Sequence, residues 1–434
     1  MAAYFHSVTL EKDKCMGCTN CIKRCPTEAI RVREGKAKII DERCIDCGEC
    51  IRVCHNHAKR ALTDPLEIIK AYPYPVALPA PTLYSQFSHK FKVDQIIQGL
   101  LNLGFFRVWE VARGAEIATQ VLVKYLENHA LPKPVISAAC PAVLRLIQVR
   151  YPELLEHVIP IESPMEISAR LAKKELEEEG YPVEQVGVFF ISPCAAKVTS
   201  VKNPLGVKKS QVDGVIAISD IYGPLLAQLA STASGSIQPR ASGAGIGWAV
   251  IGGESRLLPF NQTLSVDGIA NVVRVLDDIA MGKLKEVDFI EGLACMGGCV
   301  GGPLTIENSY LSKTRIQNLS KKYGMSYPEV APEFACSEFF WTEKIEPCSV
   351  LVLDEDLALA MQKLETLDEI HKALPGLDCG SCGAPTCRAL AEDIVRGLAV
   401  EIDCIFKLRE KVTDLAERMV ELSSKLPPSI GKPR

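Results

Sequence analysis

Cys15-Met16-Gly17-Cys18-Thr19-Asn20-Cys21-Ile22-Lys23-Arg24-Cys25-Pro26 is the stretch that decides how this chain is read, and its spacing returns at Cys44-x-x-Cys47-x-x-Cys50-x-x-x-Cys54. Three cysteines at intervals of three wrap the backbone around one iron–sulfur cube, so three thiolates meet three irons of a single cluster. The fourth cysteine of each run sits too far round and ligates the other cluster. The spacing therefore assigns Cys15, Cys18, Cys21 and Cys54 to one [4Fe–4S] cluster, and Cys44, Cys47, Cys50 and Cys25 to a second. Zinc is the competing metal, but zinc ribbons use pairs of cysteines rather than repeated triplets ending in a fourth. A cube stores one electron and offers no substrate site, so two of them imply single-electron traffic. His55 and His57 follow the last ligand and read as surface residues.

Outward from this module, the chain is ordinary in bulk. It has 434 residues, 47% hydrophobic and 24% charged, with a formal net charge of −4. That length favours two or three domains. Without a basic surplus there is no electrostatic case for nucleic acid. The opening MAAYFHSVTLEKDK has no basic region followed by an apolar stretch, and no apolar run reaches membrane-spanning length. A cytoplasmic protein with no membrane span is the expectation. The 18 cysteines then point to metal or redox chemistry rather than to disulfides. Sixteen of them fall in groups or ligand-like loops, which leaves Cys336 and Cys348 unassigned.

The cysteines and the punctuation divide the chain. Residues 1–70 form a small α+β domain of the bacterial ferredoxin type. The proline-rich YPYPVALPAPT, Tyr72 to Thr82, reads as a junction. Residues 75–360 alternate strand-like runs with helical patterns. Pro134–Ser137, Val186–Ile191 and Val215–Ile218 are predicted buried strands, with an amphipathic helix over Glu166–Glu179. This alternation predicts an α/β domain with parallel pairing and with ligands in loops at strand ends, where Cys140 and Cys194 fall. The glycine-rich Ser242–Trp248 lacks dinucleotide spacing and reads as a turn or a loop near a cluster. Glu110 and Glu116 could serve a proton route, with solvated carboxylates on a helical face as the alternative.

A third unit, 365–405, carries Cys379, Cys382 and Cys387, with Cys404 on the segment that follows. Four thiolates suit one more [4Fe–4S] cluster, with zinc as the alternative. This segment is similar to the small four-iron domains of certain electron-transfer subunits and corrinoid iron–sulfur proteins. A helical Fe–S domain running into a long C-terminal helix is expected. Over 405–426, Ile405, Leu408, Val412, Leu415, Met419, Leu422 and Leu426 alternate spacings of three and four. That is the pattern of a coiled coil; a helix packed along its own protein body is the other reading. The terminal LPPSIGKPR is expected to be disordered.

Four remaining cysteines are scattered: Cys140 in SAACP, Cys194 in SPCAAK, and Cys295 with Cys299 in EGLACMGGCVGG. These loops, in this order behind a ferredoxin module, resemble the signature loops of [FeFe]-hydrogenases. The resemblance implies a two-lobed α/β domain around an H-cluster, a [4Fe–4S] cube joined to a diiron unit. It also implies that Cys140, Cys194, Cys295 and Cys299 hold the cube, with Cys299 shared. Lys197 would reach a cyanide of the diiron unit, and the backbone at Leu78-Pro79-Ala80 the other cyanide. Departures accompany the matches. Ala139 stands where the familiar enzymes carry a proton-relaying cysteine; Ser192 and Leu293 replace methionines. Glutamates expected after Lys197 and around Ala118–Leu122 are absent.

The pattern is similar to the divergent branch of that family associated with hydrogen sensing. It implies slow interconversion of H2 with protons and electrons. The implied partners are ferredoxin or another redox protein, the hydrogenase maturation enzymes, and a second copy or a signalling protein at the C-terminal helix. A non-catalytic iron–sulfur electron carrier or scaffold without the diiron unit is the alternative.

Overall fold

A computed structural model describes residues 5–230, 237–326, 336–348, 350, 352–354 and 356–425. Leu426 and the terminal segment lie outside the described residues, as does the side chain of Cys336. The chain divides into two compact units. The first contains residues 1–9, 44–52 and 59–348; the second contains 10–43, 53–58 and 349–434.

Two parallel sheets organise the first unit. One has four strands, in the order Arg107–Val108, Tyr74–Pro79, Val186–Ser192, Gly214–Ala217. The other has three, Thr263–Asp267, Phe289–Leu293 and Val135–Ile136. Every residue of Val186–Ser192 is buried, as expected of a central parallel strand covered on both faces. The core on one side of this sheet gathers Leu83, Phe87, Ile96, Leu100, Phe189, Ile191, Ile216 and Leu225. The predicted helix spans Pro164–Glu178, with its proline in the first turn, where a missing N–H costs nothing.

One expectation is corrected, and one feature appears only in the structure. The proline-rich stretch is not a junction: Tyr74–Pro79 is an interior strand, in register with Val186–Ile191. Its prolines lie near the ends of the strand, where lost donors are tolerated. The Pro75 carbonyl still accepts from Phe106 N–H at 2.7 Å. Pairing also departs from chain order. Val135–Ile136 and Val186–Ser192, consecutive predicted strands, join different sheets. Each finds partners distant in sequence, a choice that alternating periodicity does not encode.

In the second unit an antiparallel hairpin, Ile30–Arg33 with Lys36–Ile39, accompanies the helices Leu357–Ala373 and Cys387–Val395. Leu367, Leu374, Leu390 and the thiols Cys387 and Cys404 make its small C-terminal core. The final helix, Ile405–Ser424, buries none of its residues. Ile405, Leu408, Val412, Leu415, Met419 and Leu422 are 45–71% exposed.

Candidate metal centre

The scattered cysteines come together because parallel strands deliver them at their carboxyl ends. Cys140 follows Val135–Ile136, Cys194 follows Val186–Ser192, and Cys295 follows Phe289–Leu293. Cys140 and Cys194 are the N-cap residues of the helices Pro141–Arg150 and Ala195–Lys202. The positive end of each helix dipole favours a thiolate there. Ser192, in the place of a methionine, ties down its loop: its Oγ accepts from Cys194 N–H and donates to the Cys194 carbonyl, both at 3.0 Å. Gly298, at φ 101°, lets the Cys295–Cys299 loop approach Ile251, whose amide nitrogen would lie 2.7 Å from any Cβ at that position.

All four cysteines line one cavity of about 90 Å³, together with Lys197, Ala80, Thr82, Ala139, Leu293, Glu254 and Glu291. Burial, then the neighbouring Cys295 sulfur, pushes the Cys299 thiol up to about 12. Burial and the other three sulfurs raise Cys194 further, and burial raises Cys295 despite Arg52 beside it. Converging thiols in such surroundings are a poor arrangement unless a positive centre binds them as thiolates. Thr82 Oγ1, fully buried on the cavity wall, has no protein hydrogen-bond partner. The donor set and this orphaned hydroxyl both fit an iron–sulfur cube with a further polar group beside it.

Lys197 Nζ reaches the Ala139 carbonyl at 3.2 Å, which brings the lysine to the loop that carries Cys140. The backbone near Pro79 offers less than the resemblance implies. Pro79 has no N–H, and the Ala80 N–H donates to the Ile191 carbonyl at 3.2 Å. Thr82 is the better-placed donor on that wall.

Several participants escaped the sequence reading. Glu254 and Glu291 are 3% and 1% exposed. Ser137 Oγ donates to Glu254 Oε2 at 2.6 Å and accepts from Ala139 N–H at 3.2 Å. Glu291 accepts from Gly252 N–H, Ser255 N–H and the Ser255 hydroxyl at 2.7–3.0 Å. Burial, then the charge of Glu291, raises the Glu254 carboxyl well above the ordinary carboxylate range, which favours its protonated form. The available signal was a glutamate inside the otherwise apolar Phe289–Leu293 strand. Glu110 and Glu116 are buried too, but they bind the Arg240–Ser242 backbone and the Tyr84 and Ser242 hydroxyls, and they do not line the cavity. They are not solvated, and their hydrogen bonds anchor the Arg240–Ser242 loop.

The triplet Cys44, Cys47, Cys50 belongs to the same unit, and Cys47 itself lines the cavity. Arg52 Nη2 donates to Cys295 Sγ at 2.9 Å and to the Gly301 carbonyl at 2.9 Å. Burial opposes its charge, but Cys295, Glu49 and Cys47 outweigh this and hold the guanidinium more firmly protonated than usual. Asp46, between two of the cysteines, accepts from Thr199 Oγ1 at 2.6 Å and from Ser7 and Val8 N–H, fastening the triplet loop to the Cys194 helix.

Cys15, Cys18, Cys21, Cys25 and Cys54 fall in the second unit. Backbone N–H groups of Ala37, Ala29 and Ala58 point at Cys15, Cys25 and Cys54 sulfurs at 3.2–3.4 Å, contacts that raise the potential of a cluster held there. The C-terminal set also gathers. Cys387 begins a helix capped by Thr386, Cys404 N-caps the final helix, and Cys382 is close enough to Cys379 and Cys404 to feel their charge.

Comparison with known proteins agrees with this architecture. A family model described as iron only hydrogenase large subunit, C-terminal domain, matches residues 74–257 and 255–303. A 4Fe–4S dicluster domain model matches 7–55, and an Fe–S cluster model matches 374–406. A periplasmic [Fe] hydrogenase large subunit from Nitratidesulfovibrio vulgaris is 26% identical over 362 residues, 68% of this chain and 86% of the relative. Iron hydrogenase 1 from Clostridium pasteurianum is 25% identical over 268 residues, 50% of this chain and 46% of that protein. Among solved structures, a variant of the [FeFe]-hydrogenase HydA1 from Chlamydomonas reinhardtii aligns with TM-score 0.50 at 17% identity, covering 64% of this chain and 95% of that one; it shares the fold. Among the described residues, no helix is long and apolar enough to cross a membrane. With its large-subunit domain matched over more than half its length and iron–sulfur modules on either side, the chain is a divergent member of the iron-only, or [FeFe], hydrogenase family.

Proposed function

We propose that this chain interconverts H2 with protons and electrons at an H-cluster, slowly and in a sensing or regulatory role. The observation that carries the reading is the convergence of Cys140, Cys194, Cys295 and Cys299 on one cavity that Lys197 and the orphaned Thr82 hydroxyl also line. In this reading the four thiolates hold the cube in a two-lobed domain, and Cys299 is the thiolate shared with the diiron unit. When bound, that unit supplies the site where H2 is cleaved or formed.

The chain's own residues have separable tasks. Lys197 presents a compact cation toward the anionic ligands of the cluster. The apolar wall of Val111, Ala115, Met165 and Phe190 excludes water. Ala139 presents a methyl group where a thiol would carry protons, which supports low turnover. Glu254 Oε2 is the group able to hold a proton, with the Ser137 hydroxyl joining it to the Ala139 loop. Cys47 and its triplet, beside the Arg52 guanidinium, would hold a cluster that supplies an exit for electrons, with ferredoxin or a similar carrier as the partner. The exposed seam of Ile405–Ser424 would meet a second copy or a signalling protein, and the reduced cysteines suit the cytoplasm.

Infrared spectroscopy of protein co-produced with the hydrogenase maturation enzymes tests the reading. Bands of iron-bound CO and cyanide are expected, and their replacement by a spectrum without them on Lys197→Ala. Protein with a full complement of cubes but no such bands would establish the second reading, an electron-transfer scaffold, which the methyl of Ala139 favours.

A further inference from the structure

We infer that the C-terminal four-cysteine site is an electron relay wired directly to the cluster of Cys15, Cys18 and Cys21. The inference rests on the cysteine assignments above but is independent of the hydrogen chemistry.

Within the second unit the two ligand loops touch. Gly380 lies between Cys379 and Cys382, and Ile22 and Lys23 follow Cys21 directly. A Cβ added at Gly380 would lie 2.7 Å from Lys23 Cε and 3.5 Å from Ile22 Cδ1. Lys23 Nζ donates to the carbonyls of Asp378 and, at 3.3 Å, Pro385, so its ammonium bridges both ends of the C-terminal loop. Clusters held on loops in contact would have only side-chain and backbone atoms between them, the proximity that single-electron transfer needs.

A second contact fixes the orientation. The hairpin Ile30–Ile39 lies on Cys15 from one side: Lys36 Nζ donates to the Cys15 carbonyl at 2.8 Å and Ala37 N–H to its sulfur. From its other strand, Arg33 Nη1 donates to the Cys382 carbonyl at 2.8 Å, and Val32 N–H to the Gly383 carbonyl at 2.8 Å. Gly383 tolerates no side chain, since a Cβ would meet the Val32 carbonyl oxygen at 1.9 Å. One hairpin therefore serves as backbone support for both ligand sets.

A buried ionic lock holds the arrangement. Arg31 Nε and Arg33 Nη2 share Asp393, at 2.7 and 2.6 Å, and Arg43 pairs with Glu392. The side chains of Arg31 and Asp393 are 7% and 4% exposed. Charges taken this far out of water persist only where the partner is held in place, so the lock specifies a fixed docking rather than a tethered domain. The transfer moves one electron: the Cys15/Cys18/Cys21 cluster is oxidised as the C-terminal cluster is reduced, with no proton or bond change. Its source is the hydrogen chemistry proposed above or any external low-potential donor such as dithionite.

The test is electron paramagnetic resonance of the full-length, cluster-loaded protein reduced with dithionite. Cys47→Ser serves as background to remove the second ferredoxin cluster. The expected spectrum shows magnetic interaction between the Cys15/Cys18/Cys21 cluster and the C-terminal cluster. It should relax severalfold faster than the spectra of variants that also carry Cys18→Ser or Cys382→Ser. Asp393→Asn should lose the interaction while iron content stays unchanged. A spectrum equal to the sum of the single-site variants would overturn the inference, as would an Asp393→Asn spectrum with undiminished interaction. Should Cys47→Ser fail to assemble, power saturation of the otherwise unmodified protein with and without Cys382→Ser gives the same discrimination. Iron content and the separate cluster signals report the assignments themselves, so their failure is distinguishable from failure of the wiring.

Discussion

The cavity of the first unit and the C-terminal site of the second are both built from four cysteines, yet they are made in opposite ways. In the cavity, the three loops that carry Cys140, Cys194 and Cys295 with Cys299, far apart in the chain, meet because two parallel sheets end there. In the C-terminal site, a short loop and the starts of the two helices that follow it supply all four cysteines, and Cys379 stays exposed. The first surrounds its thiols with buried carboxyls and apolar walls; the second places Lys23 and Arg33 on the carbonyls of its loop. A site for chemistry needs exclusion of water and a group that holds a proton. A site for electrons needs only proximity and compensating positive charge.

The largest way to break this comparison is to remove one thiolate from each. Cys194→Ala should abolish hydrogen turnover and the cavity's iron. Cys382→Ala should leave the proposed hydrogen–deuterium exchange intact while deleting one cluster from the iron count. Equal loss in both would show that the C-terminal site is part of the catalytic unit. Next comes the proton. Glu254→Gln should lower H2 turnover by about 10²–10⁴-fold with CO and cyanide bands retained, the range for losing a positioned acid–base group; an unchanged rate would remove Glu254 from the proton route.

Asp393→Ala leaves Arg31 buried without its partner and should cost about 3–5 kcal/mol in chemical denaturation of the second unit, whereas loss of a surface pair such as Lys425–Glu421 should cost at most about 1 kcal/mol. The smallest effect sharpens the electrostatics of the cavity. The folded pKa of Glu254 stands well above its ordinary 4.5, so its protonated form favours the folded state. The stabilisation is complete below the ordinary value and is lost as pH rises through the raised one. Melting temperatures of the parent protein should therefore fall relative to Glu254→Gln across that interval and run parallel above it.

Legibility followed the range of the interactions. The cluster spacings at Cys15–Cys25 and Cys44–Cys54, the helix of Pro164–Glu178 and the buried strand at Val186 were readable because each depends on residues a few positions apart. The Tyr74–Pro79 strand was not, since its prolines signal punctuation locally and only its partner Val186–Ile191 gives it a place in the sheet. Glu254 was invisible for the same reason: nothing near it in the chain distinguishes it from a surface glutamate. Its meaning comes from Ser137 and Glu291, 117 and 37 positions away along the chain.

The sequence by itself determined which atoms can hold iron, because ligand identity and local spacing are covalent facts of the chain. Tertiary structure alone decided what surrounds those atoms. It turned a proline-rich stretch into the strand leading to Ala80 and Thr82, buried Glu254 and Glu291 beside four thiols, and set Arg31 against Asp393. Burial and electrostatic coupling are properties of through-space neighbours, and the chain acquires those neighbours only by folding.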